Sequence, residues 1–149
     1  MCVKLKGNKM TPGQVQAFLT KLGKASGVWG FGNGKQANVR MESLSTIWRK
    51  IQMNRGILSV ESFWERDKEF VRKDGKLFQL AVIFNPEYEF AVMTVPALGI
   101  VRDFHHRMPG CLVDDQAENF IEGKLPVILH STEIILAHSK DNVPAGRAA

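Results

Sequence analysis

A chain of 149 residues, 44% hydrophobic and 23% charged, suits one domain with one hydrophobic core, and its composition excludes the disordered and fibrous classes. Twenty Lys and Arg against fifteen Asp and Glu leave a net charge of +5, a modest bias toward polyanions such as nucleic acid. No apolar run approaches the ~20 residues of a membrane span, and the first ten residues, MCVKLKGNKM, lack the apolar stretch of a secretory signal. The expectation is a cytoplasmic protein, nucleoid-associated when on DNA, with no membrane partner and with Cys2 and Cys111 reduced.

In chain order, a short first strand precedes TPGQVQAFLTKLGKAS, residues 11 to 26, which the spacing of Val15, Phe18, Leu19 and Leu22 marks as a helix with Pro12 at its first position. The glycine-rich GVWGFGNGK that follows is a strand end and loop; it is no phosphate loop, since no G-K-S/T closes it. Leu44, Ile47, Trp48 and Ile51 predict a second helix over Ser43 to Met53. GILSVESFWE reads as a strand, EFVRKDGKLFQLAVIF as a hairpin about Asp74-Gly75, and EFAVMTVPA as a strand ended by Pro96. DDQAENFIEG is a short helix capped by Asp114 or Asp115 and stopped by Gly123, TEIILAH is a last strand, and residues 140–149 have the composition of a loose tail. The sum is an α+β fold in one domain, residues 1–139, mostly antiparallel strands in a barrel-like sheet with two or three helices.

Five places carry polar chemistry. Removal of Met1 would give Cys2 a free α-amine beside its thiol, a 1,2-aminothiol that condenses with an aldehyde to an imine and closes to a thiazolidine; the plainer reading is a frayed terminus. Asn38, Arg40 and Glu42 alternate, so in an extended segment they share a face fit for an anionic ligand, or else they end a solvated strand with Glu42 or Ser43 capping a helix. Glu65 follows two aromatics; buried there its pKa would rise and it could move protons, whereas at a strand end it would be merely exposed. His105 and His106 diverge if the chain is extended, so at most one serves a site, and with Cys111 they lack the spacing of a zinc site. Arg107 suits a phosphate, with a structural ion pair as the alternative.

Met1-Cys2, Trp29-Gly30, Asn38-Val39-Arg40-Met41-Glu42, the strand from Gly56 to Glu65, Thr94-Val95-Pro96-Ala97 and His105-His106-Arg107-Met108-Pro109 stand in one order from residue 2 to about 113. In that order they resemble the SOS-response-associated peptidase family, whose members start Met-Cys and carry N-A-R-x-E, C-L-I-P-A-x-G-F-Y-E-W and H-D-R-M-P motifs. The chain departs from the pattern at Val3, Ser59, Ser62, Arg66 and His106, and it is short for a member.

The resemblance implies a protein that shields abasic sites in single-stranded DNA through a covalent thiazolidine crosslink at Cys2; no cofactor is expected, no metal for lack of ligand spacing, and a monomer is the default expectation. By position it makes Cys2 the nucleophile, Asn38 an active-site amide, Glu65 the proton-relaying glutamate and His105 the catalytic histidine. Arg40, Arg107 and Lys4 are expected on flanking phosphates and Trp29 under a base. The competing expectations are an N-terminal-cysteine autopeptidase or amide hydrolase, and a module that binds single-stranded DNA without bonding to it.

Overall fold

The computed structural model describes residues 4–6, 11–45 and 54–137. Twelve short strands are described: β1 (Lys4–Lys6), β2 (Val15–Thr20), β3 (Gly23–Trp29), β4 (Asn38–Arg40), β5 (Asn54–Val60), β6 (Ser62–Glu65), β7 (Lys68–Arg72), β8 (Phe78–Phe84), β9 (Glu89–Pro96), β10 (Arg107–Pro109), β11 (Cys111–Leu112) and β12 (Ile134–Leu136). Two short helices accompany them, α1 (Phe31–Gly34) and α2 (Ala117–Ile121). The architecture is α+β, one domain with a barrel-like ring of strands, as the sequence led one to expect.

The ring runs β9-β3-β2-β5-β8 and returns to β9. All of its pairings are antiparallel except β3 with β9, and β4 adds a second parallel pairing on β9. Closure removes the open edges on which sheets aggregate. A second sheet, β1-β6-β7-β12, lies against the ring. The two share one core: Phe63 of β6 stacks on Phe70 of β7 with centroids 5.3 Å apart and tilts against Phe78 of the barrel strand β8 at 5.1 Å.

Three expected elements take another form. Residues 15–29 are no helix but the hairpin β2–β3, paired over six residues from Val15 opposite Val28 to Thr20 opposite Gly23. Of the four residues that suggested a helical face, only Phe18 is buried, between Phe84 and Phe90 at 5.1 Å from each; Leu22 is 97% exposed at the turn. The alternation of strand side chains wins because β5 supplies a second partner for β2, and tertiary pairing overrides a weak helical preference. The turn suits this outcome: Thr20 Oγ1 accepts from Leu22 N at 3.1 Å and donates to Gly23 O at 2.8 Å, with Gly23 at φ +110.

The strands about Asp74-Gly75 exist, but they are not a hairpin. β7 pairs with β6 and β12, β8 with β5, β9 and β11, and the link between them carries the chain from one sheet to the other. Arg72 directs that crossing: its guanidinium donates to Asp74, to Leu77 O and to Asp114, so the turn residues serve a buried cation rather than a two-residue reversal. GILSVESFWE likewise divides at Glu61 into β5 and β6, in different sheets. The proposed helix over Ser43 to Met53 begins as a 3-10 turn, Met41–Ser45, and the rest of it lies outside the described residues, as do Cys2 and the tail over 140–149. β9 ends at Pro96 as expected, and α2 ends before Gly123 at φ +96, although no side chain caps its start.

Candidate active site

β6 ends on Glu65, whose side chain is fully buried. An ionised carboxylate loses hydration there, and burial pushes its pKa from 4.5 to about 7. The carboxyl therefore exchanges protons near neutrality, the property wanted of a group that is acid in one step and base in the next. The expected exposed alternative for Glu65 is excluded by its burial.

His105 comes to this carboxyl from the opposite side of the fold. A 3-10 turn, Gly99–Asp103, follows β9, and the bend after it brings His105 Nδ1 within 3.6 Å of Glu65 Oε2, just beyond hydrogen-bond range. The main-chain N–H of Arg107 donates to His105 Nδ1 at 3.0 Å. A backbone proton cannot move away, so Nδ1 accepts and the ring proton sits on Nε2, a tautomer assigned from the bonding. Burial lowers the His105 pKa below its usual 6.5, which keeps the imidazole neutral at neutral pH.

The histidine doublet does not diverge. At the bend the two rings stack, centroids 4.4 Å apart and 24° between planes, and both line one cleft of about 800 Å³. The expectation failed because it assumed extended backbone, and residues 104–106 are not extended. Arg66, Arg102, Asp103, Pro96 and Phe104 form other walls of the cleft, so two cations and one carboxylate line it beside the histidines. Arg66 is the first residue of the tight β6–β7 turn and holds φ +57, a left-handed conformation that few large side chains adopt. Sequence reasoning counted Arg66 as a departure and passed over Arg102; the signal for both was an arginine within three residues of Glu65 or His105.

Arg107 is a different case from the one expected. It is buried, not offered to a phosphate: Nη1 and Nη2 donate to Glu42 Oε2 and Oε1 at 2.6 and 2.8 Å, and Nη2 also donates to Thr94 O at 2.6 Å. The ion-pair alternative holds because Thr94 of β9 lies between Arg40 of β4 and Pro109 of β10, so the guanidinium ties β10 to β9 and to the turn that follows β4. The Arg107 guanidinium in turn holds the Glu42 carboxyl down at about 2. Glu42 is therefore neither a helix cap nor a ligand contact.

Asn38 and Arg40 flank buried Val39 on β4, so they share a face as the alternation requires. Arg40 is exposed, with a loose 3.3 Å contact to Glu42. Asn38 is half-buried, and its Oδ1 is a buried acceptor with no hydrogen-bond donor among the described residues.

Trp29 cannot lie under a base. It is fully buried in the barrel and its Nε1 donates to Ala37 O at 2.9 Å, fastening the β3 end to the approach to β4. Trp29→Phe removes that bond while Ala37 O keeps the one it accepts from Val92 N at 2.9 Å, so unfolding free energy should fall by about 0.5–1.5 kcal/mol in urea titration. Two other departures carry their own partners: Ser62 Oγ donates to Glu69 Oε2 at 2.6 Å and Ser59 Oγ to Gln79 Oε1 at 2.7 Å.

Lys4 belongs to β1 and pairs with Trp64, the residue before Glu65. Cys111 is buried in β11, where burial pushes its thiol far above the range in which it reacts. Among the described residues no three His, Cys, Asp or Glu side chains are grouped to hold a metal ion, and no helix is long and apolar enough to cross a membrane.

No family model matches the chain, and no curated protein matches it in sequence. Its fold does have solved relatives in shape. A protein from Bordetella bronchiseptica superimposes with a TM-score of 0.72 at 18% identity, over 91% of this chain and 88% of that one. A protein from Bacteroides thetaiotaomicron gives a TM-score of 0.64 at 15% identity, over 91% of this chain and 82% of that one. At such identities the likeness speaks for the fold, and this chain is similar to both in the path of its strands.

Proposed function

We propose that this protein captures abasic sites in single-stranded DNA by covalent bond formation at Cys2, with Glu65 and His105 moving the protons. The observation that carries the reading is the buried carboxyl of Glu65, poised near 7 and 3.6 Å from a neutral imidazole at the edge of an arginine-lined cleft. An abasic sugar in its ring-opened form is an aldehyde. The Cys2 amine adds to that carbon, water leaves as the imine forms, and the thiol adds to the imine carbon to close a thiazolidine. Protonated Glu65 gives the proton that departs with water, and the carboxylate takes one back; His105 serves the opening sugar oxygen.

Reach favours the proposal. Cys2 is two residue steps from Lys4, at most ~7 Å of extended chain, and Lys4 is paired with Trp64, next to Glu65. Asn38 Oδ1, an acceptor in need of a donor, suits the Cys2 amine. Arg66 and Arg102 take the phosphate role that Arg107 cannot fill, with exposed Arg40 in support and Lys4 the further contact expected by position. A stranded substrate without a complement bends into such a cleft at less cost than a duplex.

The test is direct. Protein incubated with single-stranded DNA carrying one abasic site, then denatured, should give a band of protein-plus-DNA mass that Cys2→Ala abolishes. Retardation on a native gel alone would leave a binding module, and cleavage of a peptide with neither result would favour the hydrolase; either outcome overturns the proposal.

A further inference from the structure

The far end of the barrel holds a second, separate cleft. β9 runs from Glu89 to Pro96, seven steps of ~3.3 Å, so its two ends are ~23 Å apart. The cleft with His105 lies at the Pro96 end. At the other end a cleft of about 430 Å³ is lined by Lys21, Lys24, Asn54, Arg55, Phe84 and Tyr88, among others.

Three features set this cleft apart from an ordinary surface fold. Its charged lining is all cationic among the described residues. Arg55 is committed, donating to Phe120 O and Lys124 O and lying 4.8 Å over the Phe120 ring, which leaves the two lysines as the mobile charges. Tyr88 forms the aromatic wall: one face stacks on Phe84, centroids 5.7 Å apart at 22°, yet the residue is 48% exposed, so its open surface is the opposite face and the edge.

The backbone holds that ring where it is. Tyr88 has φ +58, a strained conformation for a bulky residue that persists only where the surroundings enforce it. Here they do: Tyr88 O accepts from Val28 N at 2.9 Å and Tyr88 N donates to Asn85 O at 2.9 Å. Gly27 makes room for this approach, since a Cβ there would strike the Tyr88 carbonyl. On the opposite wall the hydroxyl of Thr20 fixes the turn that presents Lys21 and Leu22.

A fixed aromatic face beside two lysines fits a ligand with a flat ring and an anionic group a few ångströms from it. We propose that this cleft binds a nucleotide, the base on Tyr88 and the phosphate on Lys21 and Lys24. An acidic peptide would use the lysines but leave the ring idle. The same chemistry is offered by a free mononucleotide and by one unit of a single strand, and the experiment separates them.

Tyr88 is the only tyrosine in the chain, so its ring protons report this cleft unambiguously by NMR of tyrosine-labelled protein. Thymidine monophosphate or an eight-nucleotide oligothymidylate should shift them upfield by the ring current of a stacked base; inorganic phosphate should not. Saturation by the mononucleotide identifies a free-nucleotide cleft, and a response to the oligomer alone identifies a strand subsite; both uphold the chemistry. Tyr88→Leu should weaken binding ~5- to 100-fold, as loss of one base stack does. Lys21→Gln with Lys24→Gln should lower the salt slope of oligomer binding by ~1.4. No shift with either nucleotide at millimolar concentration, or an equal shift with phosphate, overturns the proposal. The signal needs no crosslink, so its failure is distinct from failure of the crosslinking proposal.

Discussion

Glu65→Gln should raise the stability of the protein and, on the proposed function, abolish most of the crosslinking. The carboxyl is buried with its pKa raised from 4.5 to about 7, and this fixes the sign. Below pH 4.5 the group is neutral whether the chain is folded or not, and it costs nothing. Between 4.5 and 7 the unfolded chain ionises while the folded chain still holds the proton, so stability falls as pH rises; above 7 the penalty is complete. It amounts to on the order of 3 kcal/mol. Glutamine has the same shape and no charge, so the variant should match the wild type near pH 4 and exceed it by up to that amount at pH 8, read from urea midpoints at the two values. At neutral pH its crosslinking rate should fall ~10²- to 10⁴-fold, the usual worth of a general acid-base group. A variant that was less stable at pH 8 would refute the burial argument, and one that crosslinked at the wild-type rate would remove Glu65 from the mechanism.

Glu42→Gln should act in the opposite sense. Glu42 titrates at about 2 beside Arg107, so it stabilises the fold above its ordinary pKa of 4.5 and loses that contribution as pH falls toward 2. The full shift overstates the effect because the Glu42 side chain is 46% exposed and solvent screens the pair. A loss of about 1–2 kcal/mol at pH 7 is expected, with part of it coming from the buried guanidinium left without a carboxylate. The gap between variant and wild type should shrink to about half or less at pH 3, because Glu42 is by then protonated in the unfolded chain and still mostly ionised in the folded one. Urea midpoints at the two pH values measure it; a gap that widened on acidification would contradict the ion pair as its source. Since Arg107 also supplies the N–H that sets the His105 tautomer, a slower crosslinking step should accompany the loss.

How much of this was legible in the sequence depended on whether local pattern and tertiary contact agreed. The strands from Gly56 to Pro96 were readable as strands because alternation and Pro96 agreed, but not their pairing, since Asp74-Gly75 pointed to a hairpin that does not form. Residues 15–22 satisfied a helical spacing by coincidence; Gly23, Gly27 and Gly30 just beyond were the contrary signal, since so many glycines do not extend a helix. The site divided along the same line. For Glu65 the aromatics before it left burial and exposure both open, and the packing of the two sheets decides for burial. Arg107 and Trp29 were assigned to DNA although their partners, Glu42 and Ala37, are met only when β4 comes to lie on β9. The histidine stack could not be read at all, because it depends on one bend.

The parallel pairing of β3 with β9 also governs how the chain can be made. Val28 and Trp29 must wait for Glu89 and Phe90, sixty-one residues later, before the ring can close. Until then β3 and β8 present unpaired edges, so a ribosome-bound or truncated chain ending before β9 is the species most exposed to self-association. Folding is accordingly tied to a late, non-local event and belongs with the slower, millisecond-to-second class. β9 is thus the last stave of the barrel, with Pro96 at its end lining one cleft and Tyr88 just before it lining the other, so a nascent chain that has yet to acquire it lacks the closed ring that holds the two apart.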